Sequence, residues 1–222
     1  MFFGALQQQD VTPRLVVIKG EGSDGLTYQL SGETQVLGRV RGDLCFSEDP
    51  FLSPEHGKFV VQGGRLFVQD LNSANGIFVR IRVPATLDHD DLFLVGEQLL
   101  QLDGRVMGDY VPDERGTYFY GSPRADGAFR VTQRLAGGGL GLMRSARGNL
   151  LTIGREGNVL NFPDDRFISG QHAQLQATAA GHVVLTDTGS RNGTYVRIKR
   201  AQELFHGDYL FVGQQLFRVE IA

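Results

Sequence analysis

Asp91-Leu92-Phe93-Leu94-Val95-Gly96-Glu97-Gln98-Leu99-Leu100 returns 117 residues later as Asp208-Tyr209-Leu210-Phe211-Val212-Gly213-Gln214-Gln215-Leu216-Phe217. Each copy is a pair of apolar runs about a Gly-containing turn, which reads as a β-hairpin whose residues serve core and register. Outward from this hairpin, further motifs recur at almost the same interval. Gly38-Arg39, Ser53 and His56 return after 116 residues as Gly154-Arg155, Ser169 and His172, and Asn75-Gly76 returns after 117 as Asn192-Gly193. A fixed offset across separated motifs marks a duplicated domain.

The chain has 222 residues, of which 41% are hydrophobic, enough for two cores. Domains of about 90 to 100 residues are of ordinary size. Thirty glycines, no tryptophan and short strand-like runs, such as 14–18, 58–62, 66–69 and 92–95 with their counterparts in the second half, predict an all-β protein. The expected architecture is two consecutive antiparallel β-sandwiches: a tail over 1–11, a first domain over 12–103, a linker over 104–126 and a second domain over 127–222. The linker is read from its Gly-Asp, Pro-Asp-Glu-Arg-Gly and Gly-Ser-Pro turns. Its Tyr118-Phe119-Tyr120 cluster is expected to pack onto one of the domains, with a ligand contact as the alternative.

The lone Cys45 allows no intrachain disulfide and no Cys/His zinc pattern, so neither metal nor cofactor is expected. Residues 1–6 lack the features of a secretory leader, and no run approaches the ~18 apolar residues of a membrane span. The expected setting is cytoplasmic, with no membrane partner. A net charge of −3 argues against nonspecific nucleic-acid binding. Residues 12–103 hold 8 basic and 13 acidic side chains (net −5) and residues 127–222 hold 11 and 7 (net +4). Bulk charge thus points to the second half as the better anion binder, unless the opposite signs serve to rest the domains together.

An arginine, a hydroxyl and an amide on Gly-punctuated loops, with no acid, base or metal cluster beside them, suit holding an anion rather than breaking a bond. Gly-Arg, then Ser-x-x-His, then Asn-Gly, twice and in an all-β context, resembles the forkhead-associated (FHA) domain over nearly all of 12–103 and 127–222. The resemblance implies β-sandwiches whose loops at one end receive a phosphothreonine peptide. Arg155 and Arg39 would then fork the phosphate, Ser169 and Ser53 would donate to it, and Asn192 and Asn75 would bond the peptide backbone with both amide ends. Gly193 and Gly76 would turn the chain, Gly154 and Gly38 would be structural, and His172 and His56 would brace the loops without acting as bases. His89 and His206, which also correspond, would belong to a turn before the last hairpin.

The copies differ. Ala74 faces Arg191, Ile77 faces Thr194, Pro54 faces Gly170 and Pro50 faces Arg166. The donor inventory makes 127–222 the better phosphopeptide reader, with Arg191 and Arg166 as added contacts, and 12–103 a weaker reader or a protein-contact domain. The reading is a non-enzymatic adaptor for proteins phosphorylated on threonine by a Ser/Thr kinase, with self-association open. The alternatives are a phosphate-independent scaffold or dimerisation module, and an enzyme. Three other motifs are read as structural: Ala136 to Gly141 as a long turn, Asp90-Asp91 and Asp164-Asp165 as loops, and Arg197-Ile198-Lys199-Arg200 as a solvated strand edge.

Overall fold

The structure, a computed structural model, describes residues 12–19, 22–104, 111–122 and 126–221. The expected tail over 1–11 lies outside the described residues. The strands are β1 (Arg14–Ile18), β2 (Asp24–Gln29), β3 (Thr34–Gly38), β4 (Leu44–Cys45), β5 (Gly57–Gln62), β6 (Arg65–Asp70) and β7 (Ile77–Arg80). They continue with β8 (Ala85–Leu87), β9 (Leu92–Val95), β10 (Gln98–Asp103), β11 (Arg130–Arg134), β12 (Leu140–Ser145), β13 (Leu150–Gly154), β14 (Leu160–Asn161), β15 (Ala173–Ala177) and β16 (Val183–Asp187). The chain ends with β17 (Thr194–Arg197), β18 (Gln202–Leu204), β19 (Tyr209–Val212) and β20 (Gln215–Glu220). The all-β expectation holds, with short parallel pairs β3–β4 and β13–β14 among otherwise antiparallel ladders.

The two sandwiches are not the consecutive blocks 12–103 and 127–222. One compact unit is Met1–Arg80 with Arg197–Ala222, and the other is Ile81–Val196. In the first, which we call the outer unit, one sheet runs β18-β6-β5-β3-β4 and the second β7-β19-β20-β1-β2. In the second, the inner unit, the orders are β14-β13-β15-β16-β8 and β12-β11-β10-β9-β17. Each unit therefore takes its last three strands from the other repeat. Leu204 of β18 pairs with Leu66 of β6, and Phe211 of β19 pairs with Phe78 of β7. Likewise Leu87 of β8 pairs with Val183 of β16, and Leu94 of β9 with Tyr195 of β17.

The physical reason lies in the opening hairpins. Alternation decides which side chains face a core, but two near-identical hairpins fit either core equally well, which is the condition for exchanging an element between copies. The exchanged strands are integral to stability. Leu204, Leu210, Val212, Phe217 and Val219 are buried in the outer core with Leu15, Leu37, Phe59 and Val68, while Leu87, Phe93, Val95, Leu100 and Leu102 are buried in the inner core with Val131, Ile153 and Leu175. Burying one such side chain contributes about 1.5–3 kcal/mol. Five of them match the ~5–15 kcal/mol net stability of a whole domain.

The exchange also removes the charge contrast between the halves. The outer unit holds 11 basic and 12 acidic residues, net −1, and the inner unit 11 and 13, net −2. Bulk charge therefore favours neither unit as an anion binder, and any ranking must come from local donors.

The described residues of the expected linker, 104, 111–122 and 126, fall within the inner unit rather than between sequential domains. They turn on Asp113, whose Oδ1 accepts the Arg115 and Thr117 N–H groups at 2.9 and 2.8 Å. The aromatic cluster is not buried in a core: Tyr118 is 52%, Phe119 83% and Tyr120 97% exposed. Ala136–Gly138 is a 3-10 turn, and the strand β12 starts at Leu140, before the long turn was expected to end. The turns at His89 and His206 are closed by their aspartates. Asp91 Oδ2 accepts the Asp88 N–H at 2.8 Å, and Asp208 Oδ2 accepts the Phe205 N–H at 2.6 Å.

Candidate functional site

Each unit brings its own copy of the motif together: Arg39, Ser53, His56 and Asn75 lie in the outer unit, and Arg155, Ser169, His172 and Asn192 in the inner. The elements are the end of β3 or β13, the loop before β5 or β15, and the loop between β6 and β7 or between β16 and β17.

The histidines form the buried centre of each loop cluster, both with 0% exposure. His56 Nδ1 accepts the Ser53 N–H at 3.1 Å and Nε2 lies 3.0 Å from Gly76 O. His172 repeats this with the Ser169 N–H at 3.1 Å and Gly193 O at 3.1 Å. A nitrogen that accepts a backbone N–H carries no proton, and one facing a carbonyl must carry one, so each ring is the neutral Nε2–H tautomer. Both nitrogens are thereby engaged in joining two loops, and neither is placed to act as a base.

Glycine is required on both sides of the cluster. A Cβ on Gly38 would lie 2.2 Å from Pro54 O, and one on Gly154 would lie 2.1 Å from Gly170 O, a steric overlap with backbone that cannot move aside. Gly76 and Gly193 adopt φ of 78° and 84°, in the left-handed region.

The polar groups are oriented by the same loops. Arg39 Nε donates to Leu52 O at 3.2 Å, and Arg155 Nη2 donates to Ile168 O at 2.8 Å. Each guanidinium is thus fixed by one edge against its loop, with further N–H donors left on the planar fork. Ser53 Oγ accepts the Ala74 N–H at 3.0 Å and Ser169 Oγ accepts the Arg191 N–H at 3.1 Å. In that role the oxygen is anchored, and the hydroxyl hydrogen is the group that can be donated. Asn75 Nδ2 donates to Phe51 O and Asn192 Nδ2 to Phe167 O, both at 2.8 Å. One amide N–H is therefore committed within the protein, which narrows the expectation that both amide ends serve a ligand.

The copies diverge around this common frame. In the inner unit Arg166 sits with its guanidinium carbon 4.8 Å from the centre of the Phe167 ring, a cation–π contact beside the loop that holds Asn192. Thr194 Oγ1 donates to Asp187 Oδ2 at 2.7 Å, next to the Ser190 hydroxyl at 2.6 Å. Burial alone would raise the Asp187 carboxyl. The Ser190 and Thr194 hydroxyls and the Ser190 and Gly189 N–H groups outweigh it and hold the group below the usual carboxylate range. Ser190 Oγ in turn accepts the Gly193 N–H at 2.9 Å, so Asp187 governs the turn that carries Asn192. In the outer unit Ser73 Oγ bridges Asp70 and the Gly76 N–H in the same way, and Ile77 replaces the threonine.

Sequence reasoning missed three contributors. Arg197, read as a strand edge, lies against the outer site: a Cβ on Gly76 would be 2.1 Å from its Nε. Asp49 and Asp165, only 2% and 5% exposed, cap the loops before the motif serines through the Phe51 and Phe167 N–H groups at 3.0 and 2.9 Å. Their recurrence at an offset of 116, four residues before each serine, was an available signal.

Among the described residues no helix is long and apolar enough to cross a membrane. Comparison with curated proteins gives no match. Among solved structures, the chain is similar to one from a structural and functional analysis of phosphothreonine-dependent FHA domain interactions, at 12% identity and TM-score 0.36, covering 95% of this chain and 97% of that one. It is also similar to an FhaA FHA domain complexed with the intracellular domain of Rv3910, at 11% identity and TM-score 0.34, covering 94% and 100%. A third similarity, to Mycobacterium tuberculosis EmbR in complex with a low affinity phosphopeptide, has 24% identity and TM-score 0.24 over 40% of this chain and 27% of that one. The profile of the FHA domain family matches residues 36–96 and 151–213, more than half of the chain. With two family matches that each contain a complete loop cluster of the kind described above, the chain belongs to the FHA domain family.

Proposed function

We propose that the protein is a phosphothreonine-dependent adaptor without catalytic activity, and that the inner site, around Arg155, is the stronger reader. The observation that carries this is the pair of loop clusters in which an arginine fork, a serine hydroxyl and an asparagine amide are held by a neutral, fully engaged histidine. A phosphate group carries about −1.5 to −2 charge and three acceptor oxygens, which calls for donors that stay charged and pre-oriented. The sites offer such donors and no free general base, so the phosphate is bound and left in place.

The ranking of the sites rests on Arg166, Arg191 and Thr194, which the outer site replaces with Pro50, Ala74 and Ile77. The partner would be a protein phosphorylated on threonine by a Ser/Thr kinase. Titration of a degenerate phosphothreonine peptide library and its dephosphorylated twin tests the reading. Binding confined to the phosphorylated library is expected; equal binding of both would instead assign the protein to phosphate-independent scaffolds.

A further inference from the structure

We propose that each phosphopeptide loop is positioned by the other repeat, with Gln98 of the first repeat setting the Arg155 site and Gln215 of the second setting the Arg39 site. The inference rests on the phosphopeptide reading of these loops and adds the residues that hold them. In the inner unit the buried Asp165 uses Oδ1 to cap its own loop at the Phe167 N–H. Its Oδ2 accepts the Glu97 N–H at 2.9 Å and Gln98 Nε2 at 2.8 Å, both from the hairpin of the first repeat. The loop so held presents Phe167 O to Asn192 and Ile168 O to Arg155. Hairpin, carboxylate, loop and ligand donors thus form one chain of hydrogen bonds.

The hairpin turn also packs flat on this loop: a Cβ on Gly96 would lie 2.4 Å from Ile168 Cγ1 and 2.8 Å from Asp165 Oδ2. The Gln98 amide is fixed at its other end, where Oε1 accepts Gln133 Nε2 at 2.7 Å, so its NH2 must face Asp165. The outer unit repeats the device. Asp49 Oδ2 accepts the Gln214 N–H at 2.8 Å and Gln215 Nε2 at 3.1 Å. A chain folded as two sequential domains would pair the same residue types the other way, Gln98 with Asp49 and Gln215 with Asp165, so the proposal has a sharp opposite.

The test uses the full chain in which one site at a time is silenced, by Arg39→Ala or by Arg155→Ala, and a phosphothreonine peptide selected from the library. Gln98→Ala is expected to weaken binding about tenfold when only the Arg155 site is left, since it removes a hydrogen bond to a buried carboxylate. It should leave binding unchanged within about twofold when only the Arg39 site is left, and Gln215→Ala should do the reverse. A purely structural role would lower thermal stability without this crosswise split in affinity. Losses at the site of the same repeat, at both sites or at neither overturn the proposal. The ligand-free amide spectrum separates this outcome from failure of the functional reading: Gln98→Ala should shift the Phe167 and Ser169 amides, and Gln215→Ala those of Phe51 and Ser53. Crosswise shifts with no peptide binding would sink the phosphopeptide reading and keep the positioning. Shifts within the same repeat would sink the positioning whatever the peptide does. Should Gln98→Ala not fold, Gln98→Met, which keeps the volume and removes the amide, takes its place.

Discussion

The outer and inner sites share the histidine, serine and asparagine hydrogen bonds that shape them and differ mainly in what they show to solvent, with the buried Thr194–Asp187 bond of the inner site as an exception in the frame. The histidine braces agree to 0.1 Å, and so do the serine and asparagine anchors. By contrast, the exposed Arg191 and the Arg166 stacked on Phe167 have Ala74 and Pro50 as their counterparts. The frame and the donors are therefore separable: one carries stability in both units, and the other sets how strongly each unit holds an anion.

The most severe way to break this comparison is to remove strands from one unit only. Truncation after Val196 deletes β18, β19 and β20, and with them five buried side chains of the outer core. The outer unit is expected to unfold while the inner unit keeps a cooperative melt and Arg155-dependent binding. A truncated chain that keeps the Arg39 site and loses the Arg155 site would show sequential domains instead. The next largest effect comes from the arginines. Charge-assisted hydrogen bonds contribute about 1.5–3 kcal/mol each, so Arg155→Ala should weaken phosphopeptide binding by one to two orders of magnitude. Arg39→Ala should cost several-fold less on the whole chain. Equal losses in a titration of the two variants would remove the ranking of the sites.

Replacing a brace sharpens the shared half of the comparison. His56→Ala and His172→Ala each leave a buried N–H and a buried carbonyl unpaired, at about 1–3 kcal/mol per group. The two variants should lower the stability of their units by similar amounts in denaturant unfolding, because the two geometries match. A loss in one unit only would mean that the common frame is not common in energy.

The strand positions were legible because alternation and turn residues are local: β1, β9 and β19 fall where their apolar runs place them. The sandwich type and the loop cluster were legible because the motif spacing carries them. Strand partnership was not. Leu92–Val95 and Tyr209–Val212 present the same pattern, so alternation cannot say which copy a strand joins. The family profile follows the chain from 36 to 96 and likewise runs across the boundary at Arg80. Arg197 and Gln98 were set aside as surface and register for the same reason: their roles appear only when the hairpins and connectors are assigned to the opposite repeat.

The smallest expected effect concerns Thr194, where the frames themselves diverge. The Asp187 carboxyl is held below its ordinary range in the folded protein. A group with a lowered folded value contributes stability above its unfolded value of about 4 and loses it as the pH falls through the folded value. Thr194→Val removes one of the hydroxyl donors to that carboxylate, which brings the folded value back toward the unfolded one. Near pH 7 the variant's inner unit should therefore be less stable by about 1 kcal/mol, the contribution of one hydrogen bond. The difference should narrow as the pH falls below about 4 and through the lowered folded value; only below that value is the carboxyl protonated in both folded proteins and the charge-assisted part gone. Melting curves of both proteins from pH 7 to pH 2 measure this directly. A gap that stays constant across the range would mean that Thr194 acts through packing alone, and that Asp187 gives the inner loop no electrostatic advantage over its Asp70 counterpart.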